Sequence, residues 1–127
     1  ALTVVDAPAV DQTVLADLHR LSPDPTFISR LLNGFRFDAE RLVKEMTDAL
    51  AARKYEVLKD AAHALKGGAG SVGATQLMQM ATRLEKASHE SLRLNAARWT
   101  EDLRRASDSA LQSLSQHLET HRQRSGA

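Results

Sequence analysis

His63 and Lys66 stand three positions apart in a stretch, Ala61 to Gly73, that also holds four glycines and five alanine or serine residues. A free imidazole titrates near about 6.5, so at neutral pH most of it is an uncharged nitrogen nucleophile. An ammonium one helical turn away can hold phosphoryl oxygens by charge-assisted hydrogen bonds. At roughly 100° per residue, His63, Lys66, Gly67 and Gly70 lie within about 60° of one line, and Lys59 extends that line a turn earlier. Leu58, Ala61, Ala62, Leu65, Ala69 and Val72 gather on the opposite side, which is therefore the side to be buried. Each glycine inside a helix costs roughly 1 kcal/mol relative to alanine. Several together imply close approach of another molecule, with Gly67 and Gly70 leaving the way to His63 open. A phosphoryl group received on the imidazole and passed on suits these parts, because in phosphoryl transfer the protein supplies mainly position and charge.

Other spacings offer weaker chemistry. Gly68-Ala-Gly70-Ser-Val-Gly73 matches G-x-G-x-x-G. A dinucleotide site requires a strand before that motif, a helix after it and an acidic residue about 20 positions on. Here a helix precedes it, and no strand is present to carry Glu85 or Glu90, so the motif reads as a glycine-rich helix end. No Gly-Lys-Ser/Thr follows, which excludes a P-loop. His117-Leu-Glu-Thr-His121 places two histidines at i, i+4 on one helix face, the spacing of a metal chelate. The metalloprotease pattern needs Glu directly after the first histidine, so these two are expected to be solvated surface residues and no metal site is assigned. His19 and His89 lie in or beside polar breaks and read as surface residues.

Several elements must position the His63 stripe. Residues 1–10 form a linker or N-terminal arm. Asp11 caps a short helix with Val14, Leu15, Leu18 and Leu21 on one side. Asp24 as N-cap with Pro25 at the first helical position opens the next helix, which carries Phe27, Ile28, Leu31, Leu32, Phe35, Leu42, Val43, Met46 and Leu50 to about Ala52, with Gly34 a weak point. A third helix begins near Lys54 and runs into Gly70–Gly73, where the chain turns. Leu77, Met78, Ala81, Leu84 and Ala87 form a fourth apolar stripe. Ser88–Asn95 is expected to be a polar break. The last helix, from about Leu94 to His121, carries Trp99, Leu103, Ala106, Ala110, Leu111, Leu114 and Leu118, and residues 122–127 form a frayed tail. The pattern is all-α: an antiparallel up-and-down four-helix bundle over residues 11–121 with a short extra N-terminal helix.

The bulk properties agree. The 127 residues are enough for one domain with a real core, and 43% hydrophobic with 26% charged residues describes a soluble globular chain. Seventeen basic and 16 acidic residues leave a net charge of +1, which gives no pull toward nucleic acid or membrane. The chain has no cysteine, so disulfides, thiolate metal sites and cysteine nucleophiles are excluded. No apolar run approaches the ~20 residues of a membrane span, and no signal-peptide pattern appears, so a cytoplasmic setting is the default. The chain opens on alanine, as a piece of a longer protein would.

His63-Ala-Leu65-Lys66-Gly67 followed by Gly73 resembles the H-x-[LI]-K-G-x5-G signature of histidine-containing phosphotransfer (HPt) domains. The resemblance spans roughly residues 11–121 and includes the short leading helix, the Asp-Pro before the second helix, Asp38–Glu40 and Leu77–Glu85. It is similar to the C-terminal module of hybrid sensor kinases, of the diffusible-signal quorum-sensing (RpfC-like) type. It implies that His63 is the phosphoacceptor, Lys66 stabilises the phosphoryl group and Gly67 gives clearance. Members often place Gln or Glu on the following helix to orient the imidazole, and Glu85 has the matching spacing. Gly68 departs from the Ser or Ala found in many members.

The resemblance further implies a phosphoryl carrier without kinase activity of its own, within a two-component phosphorelay. Its partners would be the receiver domain of a hybrid kinase, a response regulator, or both. The receiver would bring Mg²⁺ and the acceptor aspartate, and this chain would need no cofactor. It would sit in the cytoplasm, including as the cytoplasmic end of a membrane-bound sensor kinase, and be monomeric in isolation. The alternatives are a helical adaptor that docks a receiver without phosphotransfer and an enzyme with a metal at His117 and His121. Neither accounts for His63, Lys66 and the glycines on one stripe.

Overall fold

The computed structural model describes residues 8–125, with side chains through Gln123. Of the expected arm, residues 1–7 lie outside the described residues, whereas Val10 is buried in the core. The described helices are α1 (Gln12–His19), α2 (Phe27–Ala51), α3 (Tyr55–Ser71), α4 (Thr75–Lys86) and α5 (His89–Ser125).

Asp11 caps α1 as expected, its carboxylate accepting the Thr13 N–H at 2.9 Å. Leu15 is fully buried, but Leu21 lies beyond the helix end and is 70% exposed. The start of α2 differs from the expectation. Asp24 is not its N-cap; the helix begins at Phe27, after Thr26. The Asp24 carboxylate instead accepts the Thr26 N–H and hydroxyl at 2.9 and 2.8 Å, and its carbonyl accepts the Phe27 N–H at 3.1 Å. Asp-Pro thus builds a side-chain-closed turn that leads into the helix, because an Asp carboxylate satisfies a turn N–H as readily as a helix N–H. From there Ile28, Leu32, Phe35, Ala39, Leu42, Met46 and Leu50 are buried at steps of three and four. The helix passes through Gly34 without a break.

Both ends of the α2–α3–α4 path close with the same backbone motif. At Arg53 (φ 58°), Lys54 N–H donates to Ala49 O at 2.9 Å and Arg53 N–H to Leu50 O at 3.3 Å. At Gly73 (φ 76°), Ala74 N–H donates to Ala69 O at 2.8 Å and Gly73 N–H to Gly70 O at 3.3 Å. These paired bonds satisfy the last carbonyls of each helix and need one left-handed residue. Beyond α4, the expected break over Ser88–Asn95 shrinks to Ala87 and Ser88. Ser88 is the reason: its hydroxyl accepts the Ser91 N–H at 3.1 Å and so starts α5. Leu92 is fully buried, so the stretch that reads as a polar loop is the first turns of a helix with one apolar face. At its other end α5 continues past His121 to Ser125.

Packing pairs α2 with α3, α3 with α4, α4 with α5, and α5 back with α2. With connections this short, neighbouring helices run antiparallel, and the four close an up-and-down bundle around Met46, Leu50, Leu58, Leu65, Leu77, Met80, Leu84 and Leu103. α1 lies across one end of it. Its leading Asp11 N–H donates to Gly73 O at 2.7 Å, and its last residue, His19, meets His117 of α5. No helix among the described residues is long and apolar enough to cross a membrane.

Candidate functional site

The buried face of α3 sets the direction of everything opposite it. Leu58, Ala62, Leu65 and Ala69 are sealed in the core, as the periodicity requires, and His63 emerges on the far side with its side chain 70% exposed. α4 packs alongside and delivers Glu85 from its last turn. One Glu85 oxygen, Oε2, lies 2.7 Å from His63 Nδ1; the other, Oε1, accepts from Lys66 Nζ at 2.7 Å. The Glu85 side chain is only 22% exposed. Hydrogen bonding from Lys66, and then from His63, holds its pKa below the usual carboxylate range, against the opposing effect of partial burial.

An ionised carboxylate can only accept. The His63 hydrogen must therefore sit on Nδ1, donating to Glu85, and the lone pair is left on Nε2. The arrangement fixes one tautomer and offers an unprotonated nitrogen on an exposed ring. Lys66, about a third exposed, is one turn from that nitrogen and already held on the same carboxylate.

Lys59 has a task that its place on the stripe does not announce. Its ammonium donates to the carbonyls of Glu85 and Ala87 at 2.7 and 2.6 Å. Those carbonyls end α4 and lack helical partners, so Lys59 anchors the turn that carries Glu85. Its partners lie 26 and 28 residues away, and nothing in local spacing signals them.

The glycines divide into different roles. A Cβ on Gly67 would meet no atom within 4 Å, so nothing inside the protein requires glycine there. Gly70 does not open the way for a partner; a Cβ there would stand 3.2 Å from the Met78 sulfur, and the close approach is that of α4. Gly68 faces the Phe35 ring at ordinary contact distance. Gly73 is demanded by its left-handed backbone and by Asp11 and Val14 of the α1 region, each 3.0 Å from where a Cβ would stand. Of the four, Gly67 alone has open space where a Cβ would stand.

The remaining histidines also separate. His89 is exposed, as expected, beside Glu56 at 3.7 Å and the Tyr55 ring. His19, His117 and His121 are not solvated singles. All three are half-buried between α1 and α5, with His19 Nε2 2.8 Å from His117 Nε2 and the His19 and His121 rings tilted together. Burial, and then the neighbouring His121, lower the His19 pKa. α1 and the end of α5 are 98 residues apart in the chain, so only folding brings the three together.

Residues 30–121 match the family model described as Hpt domain. The structure is similar to the crystal structure of histidine-containing phosphotransfer protein B (HptB) from Pseudomonas aeruginosa PAO1. The identity is 29%, the TM-score is 0.77, and the match covers 90% of this chain and 97% of that one. No curated protein sequence matches the chain. A family match over most of the length, on a bundle of the same shape, places it: the chain belongs to the Hpt domain family.

Proposed function

We propose that this chain is a phosphoryl carrier in a phosphorelay, accepting the group on Nε2 of His63 from a receiver-domain aspartate and passing it to the aspartate of another receiver. The carrying observation is the Glu85 carboxylate, which takes the Nδ1 proton of an exposed His63 in a hydrogen bond and leaves Nε2 as the nucleophile. The Nε2 lone pair attacks phosphorus, the N–P bond forms as the P–O bond of the acyl phosphate breaks, and the aspartate leaves as a carboxylate. The onward step is the reverse of this on a second aspartate. Lys66 moves from one Glu85 oxygen toward the phosphoryl oxygens, and Gly67 lets the receiver approach.

The receiver supplies Mg²⁺ and the aspartate, so the chain needs neither a metal at this site nor nucleotide chemistry of its own. Its docking surface consists of the small exposed residues around His63, Ala64 and Gly67 among them. Contacts of this kind are transient and modest in area. A C-terminal position in a hybrid sensor kinase, with a quorum-sensing input, is the setting that the sequence resemblance favours.

Incubation with a phosphorylated receiver tests the reading. Acid-labile, base-stable label is expected on the wild-type chain and absent from His63→Gln. Label that persists in that variant overturns the assignment. Unchanged receiver binding with no phosphohistidine in the wild type would establish the adaptor instead.

A further inference from the structure

Three side chains on one face of α3, each a helical turn from the next, converge on Glu85. His63 Nδ1 and Lys66 Nζ meet its two carboxylate oxygens, each at 2.7 Å. Lys59 Nζ reaches its main-chain carbonyl at 2.7 Å and that of Ala87 at 2.6 Å. The two lysines therefore hold different parts of one residue, Lys66 the carboxylate and Lys59 the backbone.

The end of α4 depends on the second hold. α2 and α3 close on themselves through Arg53 and Gly73, and among the described residues those two alone have positive φ. The C-cap of α4, Ala87, is instead extended, at φ −67° and ψ 147°. An extended cap carries the following N–H groups away from the last carbonyls, so no backbone motif of the kind that ends α2 and α3 forms there. The Lys59 ammonium takes the place of that closure, and a cation also suits the negative end of the helix dipole.

We propose that Lys59 is a positioning residue for phosphotransfer, fixing the end of α4 so that Glu85 stays on His63 Nδ1 and the lone pair stays on Nε2. On the carrier reading above, on which this rests, Lys66 leaves Glu85 Oε1 for the phosphoryl oxygens. Of the three contacts from α3, the Nδ1–H bond and the Lys59 hold on the backbone then remain. A displaced Glu85 frees the imidazole to take either tautomer, and the Nε2–H form has no lone pair at Nε2 to offer phosphorus. Lys59 itself holds no phosphoryl oxygen, its ammonium being turned to the α4 carbonyls.

The test is ¹⁵N NMR of His63 in the full chain, with no receiver present, at about pH 8, where a free imidazole is neutral. Wild type is expected to show a proton-bearing Nδ1 and a bare Nε2. In Lys59→Met both nitrogens should move toward the averaged shifts of a free imidazole, and Lys59→Arg, whose fork can reach two carbonyls, should bring them back. Transfer per folded molecule from a phosphorylated receiver is expected to fall about tenfold in Lys59→Met, less than the ~10²-fold of a 1 Å misplacement at the reacting groups. Lys59→Arg should restore it to within about threefold of wild type. Circular dichroism establishes folding, and if Lys59→Met does not fold, Lys59→Gln, with a single shorter donor, is read in its place. Unmoved His63 shifts in the folded variant overturn the proposal whatever the rate does, since a lysine that merely stiffens the fold or meets the receiver leaves the tautomer alone. Shifts that move while transfer stays within about threefold of wild type overturn it as well. A wild type that takes no label refutes the carrier reading instead, and the shifts, read without a receiver, still decide whether Lys59 places Glu85.

Discussion

On one face of α3, Leu58, Ala62, Leu65 and Ala69 are exposed by 1% or less; on the other, the His63 side chain is 70% exposed and Gly67 has open space around it. The same 17-residue helix thus packs into the bundle core and presents an exposed imidazole. The two faces obey different rules. The buried one is set by volume, since every atom touches another and loss leaves a cavity. The exposed one is set by the proton on one imidazole and by what is missing around it. Damage to the first should appear as lost stability, and damage to the second as lost transfer from an intact fold.

His63→Gln should divide the faces most sharply. Phosphotransfer is expected to vanish while the thermal unfolding curve stays within about 0.5 kcal/mol of wild type, as for an exposed side chain. Leu65→Ala is the complement. It should destabilise by about 2–5 kcal/mol in urea unfolding, with transfer per folded molecule retained. Gly73→Ala should follow, at about 2–4 kcal/mol, because a left-handed alanine is strained and its Cβ meets Asp11 and Val14. Lys66→Ala is expected to slow transfer about tenfold without unfolding. That is less than the 10²–10³ of a water-excluded donor, because Lys66 is partly solvated. Gly67→Ala should give the smallest and most telling result. Alanine should stabilise the helix by about 0.5–1 kcal/mol while slowing exchange with the receiver. A variant that gained stability and lost no rate would remove Gly67 from the docking face.

Most of the frame was legible in the residue pattern. The apolar steps of three and four marked each bundle helix, and the phase of His63 against Leu58 and Leu65 put it on the outside. Where the pattern misled, a short polar side chain was the cause. Asp24 closes a turn where a cap was expected, and Ser88 starts a helix where a loop was expected. Both residues satisfy backbone N–H groups in either context, and only the neighbouring packing selects between them. The glycines misled in another way, since a bare backbone reads alike whether the approaching body is Met78 or a second protein.

What the sequence by itself determined is the direction of His63 and the identity of the groups near it, because periodicity along a helix is local. Tertiary structure decided what those groups touch. It set Glu85 between His63 and Lys66, which chose the tautomer, and it put Lys59 on the carbonyls that end α4. It also gathered His19, His117 and His121 from opposite ends of the chain. Hydrogen bonds and ring contacts of this kind depend on distances of a few ångström between separate helices, and those distances exist only once the core has packed.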